Sequence, residues 1–212
     1  MTYNVVIFGA TGGTGHEVLK ILLRDGHFVT AIVRRPELLL IRHERLNIVE
    51  GDVLQKETFD EFMAGADIVV SCVGARARRP TGVYSQGVSG MISSMDKHRI
   101  RRIICISAGA VNVPPAASLV AKFFIKYILQ RVFANLYSDM LIMEEIIKAT
   151  DLDYTIIRAP WLRNGTPTGQ YRVSINQHLW RPSKISRADL AHYIVGHLSD
   201  PASFKSIVEI SY

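Results

Sequence analysis

Short β-branched and apolar runs alternate with segments whose apolar positions recur at helical spacing, from one end of the chain to the other. Asn4–Phe8 is a nearly unbroken apolar run closed by glycines, and residues 17–23 then place apolar side chains on one helical face. Phe28–Val33 and Leu46–Glu50 read as the second and third strands, residues 56–63 as a short helix, and residues 67–73 as the fourth strand. A helix over 83–98 leads into a fifth strand over 102–107. The pattern is helical from 118 to 150, with a break near Asn135, and 154–158 is a sixth strand stopped by Pro160. A last helix, 187–198, has Ser186 as its predicted N-cap, and 206–210 is the final strand.

Strands that are apolar on both faces and separated by helices predict a doubly wound, mostly parallel α/β sheet covered on both sides. At 212 residues without a linker or repeat, the chain is expected to form one domain. Loops 76–81, 111–117 and 164–172 follow strands four, five and six and are rich in Pro, Gly or charge. In such a sheet ligands bind at the edge these loops occupy, so they are the expected substrate loops.

Composition narrows the picture further. Hydrophobic residues make up 48% and charged residues 21% of the chain, as in ordinary folded domains. The most lipophilic region, 118–133, is broken by Lys122, Lys126 and Arg131, and no basic stretch precedes the first apolar run. A soluble, cytosolic protein without a membrane partner is expected, as a monomer or weak homo-oligomer. Cys72 and Cys105 each sit in a strand run without ligand spacing, so they read as small buried hydrophobes and no metal site is expected. The net charge of +6 points to an anionic partner. Its basic residues are not interleaved with aromatics, which favours a small anionic ligand over nucleic acid.

The segment that carries chemistry is Gly9-Ala10-Thr11-Gly12-Gly13-Thr14-Gly15, between the first strand and the first helix. Glycines there allow a tight turn, backbone approach to a pyrophosphate and close helix–strand packing, and the helix N-terminus faces the phosphates. This context, a βαβ unit of Rossmann type, makes the loop a dinucleotide site. An acid about 20 residues further on would hold the ribose hydroxyls of NAD. Here the second strand ends in Arg34 and Arg35. A guanidinium suits a 2′-phosphate through charge-assisted hydrogen bonds, so the expected cofactor is NADP(H), with Arg34 ahead of Arg35.

The loop, together with Val33-Arg34, the run Gly51 to Gln55, Gly74-x-Arg76, Ser107-Ala108, Leu152-x-Tyr154 and Arg187-x-Asp189-Leu190-Ala191, resembles the atypical short-chain dehydrogenase/reductases, the NAD(P)H-binding group that includes biliverdin reductase B (flavin reductase). The resemblance covers almost the whole chain. It implies that Gly9, Thr11, Gly12, Gly13, Thr14 and Gly15 form the pyrophosphate loop, and that Asp52 and Val53 meet the adenine. It places Val73, Gly74 and Arg76 beside the central phosphates and ribose, and Cys105, Ile106 and Ser107 under the nicotinamide. Arg158, Ala159, Pro160 and Leu162 would close the far side.

Ser107 is the candidate catalytic side chain, since a hydroxyl there can donate to or orient a substrate carbonyl or flavin edge. The Tyr-x-x-x-Lys pair of many short-chain reductases falls on Leu136 and Met140, which move no proton. Tyr137 is one position, about 100°, away on a helix. This departure counts against alcohol oxidation and epimerisation. It is compatible with hydride transfer from NADPH to a flavin, quinone or similar conjugated acceptor, or with a non-catalytic NADP(H) sensor. Asp139 and Glu144 read as a solvated helix edge, Arg76, Arg78 and Arg79 as a screen for anionic groups, and Trp161 and Trp180 as core or lid packing.

Overall fold

The computed structural model describes residues 1–75, 82–111 and 133–212. Strand β1 (Asn4–Phe8) is buried everywhere except its first residue, with a parallel neighbour on each side and a helix layer on each face. Ile7 lies opposite Ala31 of β2 (Phe28–Val33) and Val70 of β4 (Ile68–Ser71). The sheet grows from there to eight strands, in the order β3 (Leu46–Glu50), β2, β1, β4, β5 (Arg102–Ala108), β6 (Asp153–Ala159), β10 (Ser206–Ser211) and β8 (Arg172–Ile175). Only β8 runs antiparallel, pairing with β10. The chain reverses direction across the sheet between β1 and β4, which makes that edge a topological switch point.

Two helix layers cover the sheet, and strand alternation decides which side chain meets which layer. Val5 and Ile7 pack with Leu19 and Leu22 of α1 (Gly13–Arg24) and with Ile194 of the helix Arg187–Gly196. Val6 and Phe8 point the other way, into a core holding Met91 and Met95 of α2 (Ser85–His98) and Met143 of α3 (Ala134–Lys148). Phe8 meets Phe59 edge-on at 5.0 Å between ring centroids. The helix Arg187–Gly196, α4 here, starts as expected, with the Ser186 hydroxyl accepting from the Asp189 N–H at 2.9 Å.

The structure departs from the expected elements in two places. Residues 56–63 form two 3-10 turns, Lys56–Thr58 and Asp60–Met63, rather than a helix. The Asp60 carboxylate faces inward there, accepting from the Ser94 hydroxyl at 2.6 Å and from Lys97. Residues 160–186 hold three short strands that a period-2 reading does not detect: β7 (Trp161–Arg163), β8 and β9 (Lys184–Ser186). The helical pattern expected from 118 falls partly outside the described residues; the described part begins at Ala134, next to the expected break. Among the described residues no helix is long and apolar enough to cross a membrane.

One polar group inside the sheet is structural. Arg102 opens β5 and is buried, and its guanidinium donates to the carbonyls of Leu198 at 2.7 Å, Asp153 at 2.7 Å and His197 at 3.0 Å. Burial lowers its pKa to about 10. It joins the N-terminal ends of β5 and β6 to the C-terminal end of α4, opposite the ligand edge.

Candidate functional site

The glycine loop has the conformation that only glycine permits at its critical points. Gly9 has φ +82°, and a Cβ there would lie 2.4 Å from the Cys72 carbonyl oxygen. A Cβ on Gly15 would lie 2.2 Å from the Gly9 carbonyl oxygen, so this glycine lets α1 pack against the turn. Gly12 is the N-cap of α1 with an extended backbone (φ −81°, ψ 159°), and no side chain caps the helix or places a carboxylate in its first turn. The first amide N–H groups of α1 are therefore left to an anion. Beside them a cleft of about 370 Å³ is lined by Thr11, Gly12, Gly13, His16, Asn164 and Arg187, and by Glu17, which is paired with Lys20. Thr14 is buried under the loop.

Arg34 and Arg35 are exposed at the end of β2, and neither forms a salt bridge with a described carboxylate. Asp52 sits after β3, where one carboxylate oxygen accepts from the Leu54 N–H at 3.0 Å and closes an Asx turn. Val53 is buried against Gly87, whose missing Cβ makes room for it. After β4, Val73 is half-buried and Gly74 is open to solvent. Arg76, like Arg78 and Arg79, lies outside the described residues.

The third part of the edge is the end of β5 and β6. Cys105 is buried, Ile106 is half-buried, and burial pushes the Cys105 thiol up to about 12, so it is an inert packing group. Ser107 lies beside Arg158 in the β5–β6 register. Its hydroxyl donates to Glu144 Oε1 of α3 at 2.7 Å. Arg158 grips the same carboxylate with Nε at 3.1 Å to Oε1 and Nη2 at 2.5 Å to Oε2. Ser107 is 2%, Glu144 0% and Arg158 8% exposed.

Several expectations are corrected at this point. Glu144 and Asp139 do not lie on a solvated edge, because α3 turns that face toward the sheet and α2. The Asp139 carboxylate accepts from the N–H groups of Tyr84 at 3.0 Å and Ser85 at 3.2 Å, and so caps α2. Arg158, expected to close the far side of the site, pairs through its guanidinium with the buried Glu144 carboxylate. Ala159 is buried, while Pro160 and Leu162 are half-buried after it. Trp161 and Trp180 are 75% and 59% exposed, so neither belongs to the core. Met140 is buried and Leu136 half-buried on the α3 face where the Tyr–Lys pair would stand, so that face carries no proton there.

Two buried carboxylates beside this edge have roles that the sequence did not show. Glu144 follows Leu136 and Met140 at intervals of four and precedes buried Ile147, and this spacing alone marks it as inward-facing. Asp189 is buried at the start of α4 and accepts from Thr168 N–H at 2.8 Å, Gly169 N–H at 2.8 Å and the Tyr212 hydroxyl at 2.5 Å. Burial alone would raise its pKa, but these donors outweigh it and hold the carboxyl at about 2. It anchors the loop after β7 beside the glycine cleft.

Residues 9–201 match a family described as NAD(P)H-binding. The chain belongs to that family. A chloroplastic protein of undetermined role from Arabidopsis thaliana is 28% identical over 99% of this chain and 76% of its own length. The photosystem II assembly factor Ycf39 of Cyanophora paradoxa is 24% identical over 84% of this chain, which spans about half (51%) of that protein. Among solved structures, a short-chain dehydrogenase/reductase from Veillonella parvula in complex with NADP superposes with a TM-score of 0.79 at 19% identity, over 100% of this chain and 95% of that one. An oxidoreductase from Lactococcus lactis gives 0.80 at 20% identity, over 98% and 90%. These likenesses show that this NAD(P)H-binding protein shares the overall fold of those two structures.

Proposed function

We propose that this NAD(P)H-binding protein is an NADPH-dependent reductase that passes a hydride to a flavin, quinone or similar conjugated acceptor. The observation that carries the reading is the pairing of two exposed arginines at the end of β2 with an α3 face lacking a proton carrier at Leu136 and Met140. Arg34, with Arg35 beside it, binds the 2′-phosphate; the uncapped start of α1 and Thr11 bind the pyrophosphate; Asp52 and Val53 receive the adenine. Val73 and Gly74 border the ribose, and Ile106, Ser107 and the segment from Ala159 to Leu162 frame the nicotinamide. Bound NADPH supplies the hydride. The chain contributes orientation, and solvent supplies the proton that a conjugated acceptor takes up after reduction. The likeness to biliverdin reductase B and the cytosolic placement are parts of this reading.

A second reading, an NADP(H) sensor whose bound state is read by a partner, is favoured by the same apolar α3 face and by a relative named as an assembly factor rather than an enzyme. Steady-state oxidation of NADPH with a panel of flavins and quinones separates the two. Turnover supports the reductase, whereas tight binding of NADPH without turnover by any acceptor replaces it with the sensor.

A further inference from the structure

The positive charge of the chain is concentrated in one segment. Residues 161–187 contain no Asp or Glu, five Lys or Arg, and both tryptophans of the chain. In the pair β7–β9, Leu162 and Ile185 pack inward, which leaves Trp161, Arg163 and Lys184 on the outside. Arg172 of β8 donates to the carbonyl oxygens of Trp180 and Tyr212, both at 2.7 Å, and the Tyr212 N–H donates to Lys184 of β9. These bonds gather both tryptophans and their neighbouring cations into one region of the surface. None of the five cations forms a salt bridge with a described carboxylate. The acids packed behind them, Asp189 and Glu209, are buried and already accept from the N–H groups of Thr168 and Leu179, both at 2.8 Å. What Arg163 and Arg181 face instead are rings, those of Tyr212 at 5.1 Å and Trp180 at 5.4 Å.

We propose that this face docks on a membrane surface carrying anionic lipid. Exposed cations without acidic partners are complementary to such a surface, and each one near it strengthens binding about fivefold. Indoles seat at the boundary between headgroups and acyl chains, where an apolar ring with a polar N–H is at home. Val173 and Ile175, partly exposed along the edge strand β8, add apolar contact that a lipid surface uses and a nucleic acid does not. A single-stranded nucleic acid needs open ring faces for its bases, and one face of Trp180 is taken by Arg181. The expectation of no membrane partner rested on the lack of a spanning segment, and a surface contact needs none. The inference is independent of the cofactor reading.

The test is flotation of the intact protein with vesicles of phosphatidylcholine, alone or mixed equally with phosphatidylglycerol. Binding should favour the anionic vesicles by more than about tenfold and weaken as salt is raised. Because both tryptophans lie on this face, their fluorescence reports the contact directly. On anionic vesicles the emission should shift to the blue, and brominated acyl chains should quench it. Arg181→Gln combined with Lys184→Gln should lose about 25-fold in vesicle affinity. Arg24→Gln combined with Lys205→Gln lowers the net charge equally at the opposite edge of the sheet and should change affinity less than about twofold, beyond the screened range of the face. Equal losses from the two pairs overturn the assignment to this face. So does vesicle binding without a blue shift or quenching, or no binding to either vesicle. Tight binding of oligothymidylate by a protein that ignores anionic vesicles replaces the membrane with a nucleic acid. If the Arg181 and Lys184 variant gives no cooperative melt, quenching in the unmodified protein decides alone, and its absence overturns the proposal.

Discussion

Replacing Gly12 by alanine should separate ligand binding from folding. At this position the backbone is extended, and a Cβ meets only the Gly9 carbonyl oxygen, at 3.2 Å, a tight approach that the loop relieves by yielding a few tenths of an ångström. Alanine is a poorer N-cap than glycine, which costs about 0.5–1 kcal/mol. It also restricts the unfolded chain, which returns about 0.4–1 kcal/mol where the native φ and ψ suit it. These two effects nearly cancel, and the melting temperature should move by less than about 4 °C. Gly15→Ala is the control, because its Cβ would stand 2.2 Å from a backbone oxygen that no side-chain rotation can move. Overpacking of that kind costs at least about 1–3 kcal/mol, or roughly 2–12 °C. Binding should behave in the opposite sense for Gly12, since in the proposed site a methyl there crowds the approach of a phosphate to the first amides of α1. Losing one charge-assisted hydrogen bond of about 1.5–3 kcal/mol weakens NADPH by roughly ten- to a hundredfold, and Gly12→Val should abolish binding. Thermal melts and NADPH fluorescence titrations of the three variants decide the matter. Normal NADPH affinity in Gly12→Ala, or a melting temperature as low as that of Gly15→Ala, would refute the reasoning.

Other consequences follow from the same geometry. Arg34→Glu should invert a cofactor preference of at least about tenfold for NADPH over NADH, because two charge-assisted contacts become repulsive; equal affinities in the unmodified protein would remove the argument. Glu144→Ala removes the carboxylate that Ser107 and Arg158 share and should cost about 1–3 kcal/mol, read as a lower urea midpoint; an unchanged midpoint would show that the cluster is not held as described. Asp189, held at about 2, contributes stability that is present above the ordinary carboxyl range and is lost as pH falls toward 2. Asp189→Asn should therefore melt lower than the unmodified protein at pH 7, with the gap closing by pH 2; a gap independent of pH would show that the charge does not matter. Ser107→Ala should slow turnover of the best acceptor by less than about a hundredfold, below the 10²–10⁴ range of a group that transfers a proton, and steady-state kinetics reads it.

Periodicity along the chain already determined the sheet, its mostly parallel sense and the position of the glycine loop. Each of these depends on local pattern: apolar runs such as Asn4–Phe8 cannot be solvated on either face, and Gly9 answers to a backbone angle that other residues avoid. The Ser186 cap of α4 was legible for the same reason, since an N-cap bonds within its own turn. The short strands between 160 and 186 were not legible, because they are held by partners far away in sequence, as β8 is by β10. Nor was the fate of the charged residues on α3. Whether Asp139 and Glu144 are solvated depends on which way the helix rolls against the sheet, and that is set by packing across both layers. Only the tertiary structure brings Arg158, fourteen residues beyond Glu144, under the same carboxylate that Ser107 reaches from β5. A buried charge is tolerated where its partners converge, and convergence across three elements is not written in the spacing of any one of them.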